Sequence, residues 1–350
     1  MSNNILVAPL NWGLGHATRC IPIINALIEN GFTPIIASDG IALALLQKEF
    51  PNLQSIDLPS YNIKYPKNGK LFKVKMLISS PKMFRAIVNE KKAVAKILQT
   101  HNIKGIISDN RLGVRSKKIP SVFVTHQLNV KSGNTTKLSS KIHQFIIKKY
   151  NQCWVPDVAG LPNLSGELGH LKNTNPKIKY IGPLSRFNIT TDALQYDLMV
   201  LLSGPEPQRT FLEELIIKEL KFFVGKVIFV KGKIEEKQTK ETIKNISFYN
   251  FMTSDQLESA INKSELILCR SGYTTIMDLA KLEKKAFFIP TPGQFEQEYL
   301  AKKFKDEGII PYCKQEKFTL RKLLETDFYK GFTSFAEPTN WSENFKIFRE

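Results

Sequence analysis

The chain has no apolar run that approaches the roughly 20 residues a membrane-spanning helix needs, so none of its segments reads as a transmembrane anchor. The apolar run at the N-terminus, Ile5–Leu10, is short, lacks a basic lead and passes straight into glycine-rich sequence, so it does not read as a secretory signal. Cysteine is scarce: Cys20, Cys153, Cys269 and Cys313 are scattered, each in or beside an apolar segment, and none stands at metal-ligand spacing. That excludes a cysteine-rich zinc site and fits a reduced, cytoplasmic setting. No low-complexity tract argues for disorder.

Acidic residues are the other shortage, and only in one half. Residues 1–187 hold 26 Lys and Arg against 8 Asp and Glu, whereas residues 188–350 hold 24 of each. The asymmetry suggests that the first half faces something anionic, such as a lipid surface, a nucleic acid or an acidic substrate, or else that lysine serves as surface filler, which alone should raise the balance of both halves. The mixed basic and apolar segments 64–96 and 137–149 make an anionic membrane surface the expected partner, with the chain peripheral on its inner face. No nucleic acid is expected.

At 350 residues the chain suits two domains rather than one. Short apolar runs alternate with helical stretches throughout, the pattern of parallel α/β layers. Strands are expected at Ile5–Ala8, Pro34–Ala37, Gln54–Leu58, Gly105–Ser108, Ser121–Thr125, Gln152–Val155 and Ile178–Ile181. After the linker Gly182–Thr191 a second alternation begins with strand Leu198–Leu202 and helix Gln208–Leu220. Two Rossmann-like domains are expected, 1–187 basic and 188–350 neutral, facing each other across a cleft. The C-terminal aromatics Trp341, Phe345 and Phe348 are expected to return to the junction.

Ligands of such sheets lie beyond the carboxyl ends of the strands, so the turns there carry the functional reading. After the first strand, Gly13 and Gly15 allow close backbone approach and open a helix whose N-terminus suits a phosphate. His16 at that helix start fits a general base, or else a structural capping histidine. Asp109 and His126 follow two further strands; Asp109 is a partner for His16 or a helix cap, and His126 a competing base. Asp39 comes near the place where a dinucleotide fold holds an adenosine ribose, but the third glycine of that fingerprint is missing. In the second half, Ser203, Gly204 and Arg209 form a turn that either receives a diphosphate or is an ordinary solvated loop. Arg270, Ser271, Gly272 and Thr274 form a second phosphate-suited turn, with Asp278 one to two turns into the helix, placed for ribose hydroxyls. Glu296 and Gln297 open the next helix, with groups suited to sugar hydroxyls.

The sequence Arg270-Ser-Gly-Tyr-Thr-Thr-Ile-Met-Asp278, followed by Pro290 and the Glu296-Gln297 pair, resembles the donor-binding half of glycosyltransferase family 28. Gly13-Leu14-Gly15-His16 is similar to that family's N-terminal loop. The resemblance implies a GT-B architecture and a nucleotide-sugar donor, a UDP-sugar such as UDP-GlcNAc, with Asp278 on the ribose and Glu296 and Gln297 on the sugar. Asp278 stands where the family usually has Glu, and Ser-Gly-Pro-Glu-Pro replaces its Gly-Ser-rich turn. No acceptor is implied. The expected reaction is inverting transfer to a hydroxyl without a metal or other cofactor, Arg209 or Arg270 steadying the leaving diphosphate. A nucleotide-sugar 2-epimerase on the same scaffold, or a non-enzymatic basic protein binding nucleic acid or lipid, are the alternatives.

Overall fold

The computed structural model describes residues 3–61, 72–172, 175–332 and 339–349, with side chains of the long third helix from Lys82 onward. The first lysines of the basic segment 64–96 lie outside the described residues. The chain divides into two compact units, one running through Leu184 and including the C-terminal end, the other beginning at Ser185.

The first unit is built on a seven-stranded parallel sheet: β1 (Asn4–Pro9), β2 (Thr33–Ser38), β3 (Ser55–Asp57), β4 (Ile103–Asp109), β5 (Ser121–Val124), β6 (Gln152–Val155) and β7 (Ile178–Tyr180). Their order is β3-β2-β1-β4-β5-β6-β7. Strands β1 and β5 are continuous apolar runs because helices cover both faces of the sheet. Those helices are α1 (Gly15–Glu29), α2 (Gly40–Glu49), α3 (Phe72–Thr100) and α4 (Thr136–Ile147). Helix α1 ends where Gly31 takes a left-handed φ of 78° and Phe32 turns its N–H back to Leu27, a glycine C-cap. The order reverses between β1 and β4, so the carboxyl ends of these two strands frame the ligand crevice of this unit.

The second unit repeats the plan with β8 (Tyr196–Leu201), β9 (Val227–Val230), β10 (Lys240–Ile243), β11 (Ile246–Tyr249), β12 (Ser264–Cys269) and β13 (Lys285–Phe288). Their order is β10-β11-β9-β8-β12-β13, parallel except for β10. Helices α5 (Gln208–Leu220), α6 (Ser254–Asn262), α7 (Tyr273–Lys281) and α8 (Phe295–Asp306) complete it. Strand β10 escapes the sequence reading because its four residues, Lys-Glu-Thr-Ile, are all exposed on a sheet edge. Here the order reverses between β8 and β12.

The C-terminal segment contributes α9 (Trp341–Asn344) and a following 3-10 turn to the first unit. Phe345 stacks on Trp341 at 5.3 Å and meets Phe32 edge-on at 5.7 Å, while Phe348 lies 6.2 Å from Trp154. Phe348 takes the space that a side chain on β4 would fill: a Cβ on Gly105 would stand 2.2 Å from its ring. Replacing Gly105 with Ala is therefore expected to displace the Phe348 ring and cost roughly 1–3 kcal/mol, read as a lowered midpoint in urea unfolding; an unchanged midpoint would show that the ring gives way freely.

Candidate active site

In the first unit, Leu10 donates its N–H to the carbonyl of Asp109 at 2.9 Å, which extends the pairing of β1 with β4 one step past the strand ends. The chain then turns through Gly13, whose φ is 82° and whose Cβ position faces open space, and enters α1 at Gly15. His16 and Arg19 stand three residues apart and so share one face of that helix. Asn110, with a φ of 56°, turns the chain sharply after β4, a conformation Asn tolerates better than most residues. The turn leaves Asp109 on one side and Arg111 on the other.

Asp109 is completely buried and is the hub. Arg19 grips both its oxygens through Nε and Nη2, and His16 Nδ1 lies 2.7 Å from Oδ1. The remaining Arg19 nitrogen, Nη1, lies 2.8 Å from His126 Nδ1. Burial by itself would raise the Asp109 pKa, but the adjacent Arg19 charge, His16 and their hydrogen bonds outweigh it and hold the group at about 2. For His16, burial and the Arg19 charge lower the pKa against the pull of Asp109, so the ring is neutral at neutral pH, as a base must be. Its side chain remains 15% exposed.

A second buried network lies on the other side of the β4 end. Arg111 donates to Glu90 at 2.8 Å and to Asp39 at 2.6 Å, and Tyr61 donates to Glu90 at 2.6 Å. Asn11 donates to the other oxygen of Asp39 at 3.0 Å. Asp39 is thus committed to Arg111 and Asn11, which ends its candidacy as a ribose ligand.

In the second unit, Ser203 and Gly204 follow β8, and Gly204 adopts a φ of 106°. The hydroxyl of Thr291, buried and without a hydrogen-bond partner, lies 3.6 Å from where a Gly204 Cβ would be. Gly272 is the N-cap of α7, and nothing crowds its Cβ position, so that helix start is open to a ligand. Thr274 sits half-buried in the first turn. Asp278 is buried one turn further on, accepts from Ser185 at 2.8 Å, and is raised by burial to about 6 against the opposing effects of Arg186 and Ser185.

Four residues assigned to the donor are occupied elsewhere. Arg270 is fully buried and donates to the carbonyls of Ile289, Pro290 and Gln208 and to Gln315, so it braces three loops, and burial lowers its pKa to about 9. Arg209 is consumed by Glu206, Glu213 at 2.7 Å, Thr210 and the Lys231 carbonyl. Ser271 donates to the Gln297 carbonyl at 2.8 Å, and the Gln297 side chain joins the Thr291 N–H to Gln294. These correct the expectation that Arg209 or Arg270 steadies a diphosphate: a buried guanidinium with that many internal acceptors serves the loops. Glu296 is half-buried at the start of α8. Sequence reasoning does not single out Arg19 or Thr291; for Arg19 the available signal is its i+3 spacing from His16.

All four cysteines are buried and unpaired. No group of three or more metal-ligating side chains is found among the described residues. Because Arg19 loses its charge partner, Asp109→Asn is expected to destabilise the chain by about 3–5 kcal/mol. Urea unfolding at pH 7 tests this, and a cost below about 1 kcal/mol would mean that the pair is not the hub the contacts describe.

Residues 207–331 match the family model of the glycosyltransferase family 28 C-terminal domain. A UDP-N-acetylglucosamine–N-acetylmuramyl-(pentapeptide) pyrophosphoryl-undecaprenol N-acetylglucosamine transferase of Haemophilus ducreyi is 24% identical over 61% of this chain, and the match spans 58% of that relative's length. Among solved structures, the glycotransferase of kitacinnamycin superposes with a TM-score of 0.62, at 11% identity over 93% of this chain and 89% of the other. A spinosyn rhamnosyltransferase complexed with thymidine diphosphate gives 0.59, at 12% identity over 99% and 95%. The fold is GT-B, with two Rossmann-like units, and residues 207–331 carry the resemblance to the glycosyltransferase family 28 C-terminal domain.

Proposed function

We propose that the chain transfers a sugar from a UDP-linked nucleotide-sugar to a hydroxyl acceptor, with inversion at the anomeric carbon. The observation that carries this reading is the His16–Asp109 pair at the β1/β4 reversal, a neutral histidine set against an ionised carboxylate. His16 takes the acceptor proton as the hydroxyl attacks the anomeric carbon, and Asp109 stabilises the imidazolium that forms. The departing diphosphate is met by backbone N–H groups rather than by arginine: the turn at Ser203-Gly204 and the start of α7 at Gly272 are the available cradle, with the Thr291 hydroxyl beside it. Asp278 accepts from the ribose, and Glu296, half-buried at the start of α8, serves the sugar, while Gln297 holds the Thr291 and Gln294 loop in place. The relative from Haemophilus ducreyi, whose name includes UDP-N-acetylglucosamine, and the thymidine-diphosphate complex both support a nucleotide-sugar donor. No metal is required in this scheme.

Calorimetric titration with UDP, UDP-GlcNAc, UDP-glucose, GDP and dTDP sugars tests the donor. A uridine nucleotide is expected to bind equally with and without a chelator. Its affinity should fall as pH drops through about 6, where Asp278 takes up a proton, and Asp278→Asn should bind weakly at every pH. His16→Ala should keep donor binding and lose turnover by roughly 10²–10⁴-fold. Binding that needs a divalent cation, or a His16→Ala variant with normal turnover, would sink the scheme.

Among the described residues no helix is long and apolar enough to cross a membrane. Helix α4, however, exposes Leu138, Ile142 and Phe145 at 61%, 50% and 61%, spaced one helical turn apart. Lys137, Lys141, Lys148 and Lys149 flank that stripe, with Lys149 over the Phe145 ring at 4.1 Å. We infer that this face docks on an anionic membrane, apolar side chains entering the interface and lysines meeting headgroups, as at the cytoplasmic leaflet. Co-sedimentation should be strong with vesicles containing anionic lipid, weak with neutral vesicles, and reduced several-fold by Leu138→Glu with Phe145→Glu; equal sedimentation with both vesicle types would contradict it.

A further inference from the structure

Arg19 touches two histidines and meets them in opposite ways. An arginine has donors only and keeps its charge. His126 Nδ1, 2.8 Å from Arg19 Nη1, must therefore offer its lone pair, so the neutral ring carries its proton on Nε2. His16 Nδ1 lies 2.7 Å from Asp109 Oδ1, an oxygen of a carboxylate that Arg19 holds ionised. Two lone pairs do not face each other at that distance, so Nδ1 of His16 carries the proton and its lone pair is on Nε2. Arg19 Nη2 also lies 2.9 Å from His16 Nδ1; one of its two N–H groups goes to Asp109 Oδ1, and a protonated Nδ1 has no lone pair for the other, so the guanidinium charge opposes a second proton on the ring without taking the first.

We propose that Arg19 is a positioning residue that sorts the two histidines into opposite tautomers, leaving His16 with a basic Nε2 and making His126 an Nε2–H donor. This deepens the transferase reading, since it rests on His16 as the base, and it removes His126 as a competing base. The sorting depends on the fork of the guanidinium: one edge fixes the carboxylate that orients His16, while the remaining nitrogen fixes His126. A lysine at position 19 supplies one point charge and cannot make both contacts. Among the described residues, titratable and charged groups around the pair include Arg19 and Cys20 on α1, Asp109 at the end of β4, and His143 on α4, a neighbour of His126. His143 is buried, which lowers its pKa to about 4, so it adds no charge at neutral pH.

Histidine-selective ¹⁵N labelling of the full chain, read by long-range ¹H–¹⁵N correlation, reports each ring's tautomer directly without substrate. Single His→Gln replacements assign the five histidines. Wild type near pH 7.5 should show a protonated Nδ1 for His16 and a protonated Nε2 for His126. In Arg19→Gln and Arg19→Lys, His126 should give averaged shifts. In Arg19→Gln, loss of the cation should raise the His16 titration by roughly 1–3 units and move the acid limb of the pH–rate profile up with it. A wild-type His126 protonated on Nδ1, or His16 protonated on Nε2, overturns the proposal, and so do folded Arg19 variants with both tautomers and the His16 titration unchanged. If the variants do not fold, the wild-type spectrum decides. Sorted tautomers in a chain that transfers no sugar would keep Arg19's role and discard the transferase reading.

Discussion

The first unit's site depends on one buried ion pair. Asp109 and Arg19 are both out of water, and each is tolerable there only because the other supplies two hydrogen bonds. Desolvation consumes most of the Coulombic gain of such a pair, so its value lies in geometry: it fixes the end of β4 against α1 and gives His16 a defined partner. The Arg111 network does the same on the opposite side of the β4 end, holding Asp39, Glu90 and, through Asp39, Asn11. The loop after β1 is therefore anchored at Asn11 and again at His16, and Gly13 is the permissive joint between the two anchors. A loop pinned at both ends with an open glycine between them keeps its side chains in place.

The second unit solves a similar problem with less charge. Two of its arginines point inward and tie loops together: Arg270 joins the segments after β12 and β13 to the first residue of α5, and Arg209 secures the start of α5. What remains at the β8/β12 reversal is backbone, small side chains and the buried Thr291 hydroxyl. Peptide dipoles at a helix start are fixed in direction and need no side-chain ordering on binding, which suits a surface that must receive a nucleoside diphosphate and release it each cycle.

Much of this was legible from residue order. The two α/β alternations, the reversal turns and the motifs after β1, β4, β8, β12 and β13 follow from apolar periodicity interrupted by Gly, Pro and small polar residues. Strand β10 was not, because an exposed edge strand carries no apolar alternation. The roles of Arg209 and Arg270 were misjudged for a related reason: an arginine in a strand-end turn has the same local sequence whether it faces a ligand or folds back onto carbonyl groups. Only the positions of loops distant in sequence, such as Gln315 against Arg270, decide between the two.

By itself, the sequence determined that strands and helices alternate twice, that one half is basic and the other neutral, and that Gly13, Gly204 and Gly272 stand at strand-end turns, with His16 and Asp278 on the helices that follow. These are matters of local periodicity, backbone freedom and composition. The tertiary structure decided which of the candidates meet. Asp109 joins His16 across 93 positions, Arg19 reaches His126 across 107, and Asp39 is withdrawn by Arg111 across 72. Pairings over such separations arise from the parallel crossovers that bring the carboxyl ends of β1, β4 and β5 side by side, and no local rule of spacing encodes them.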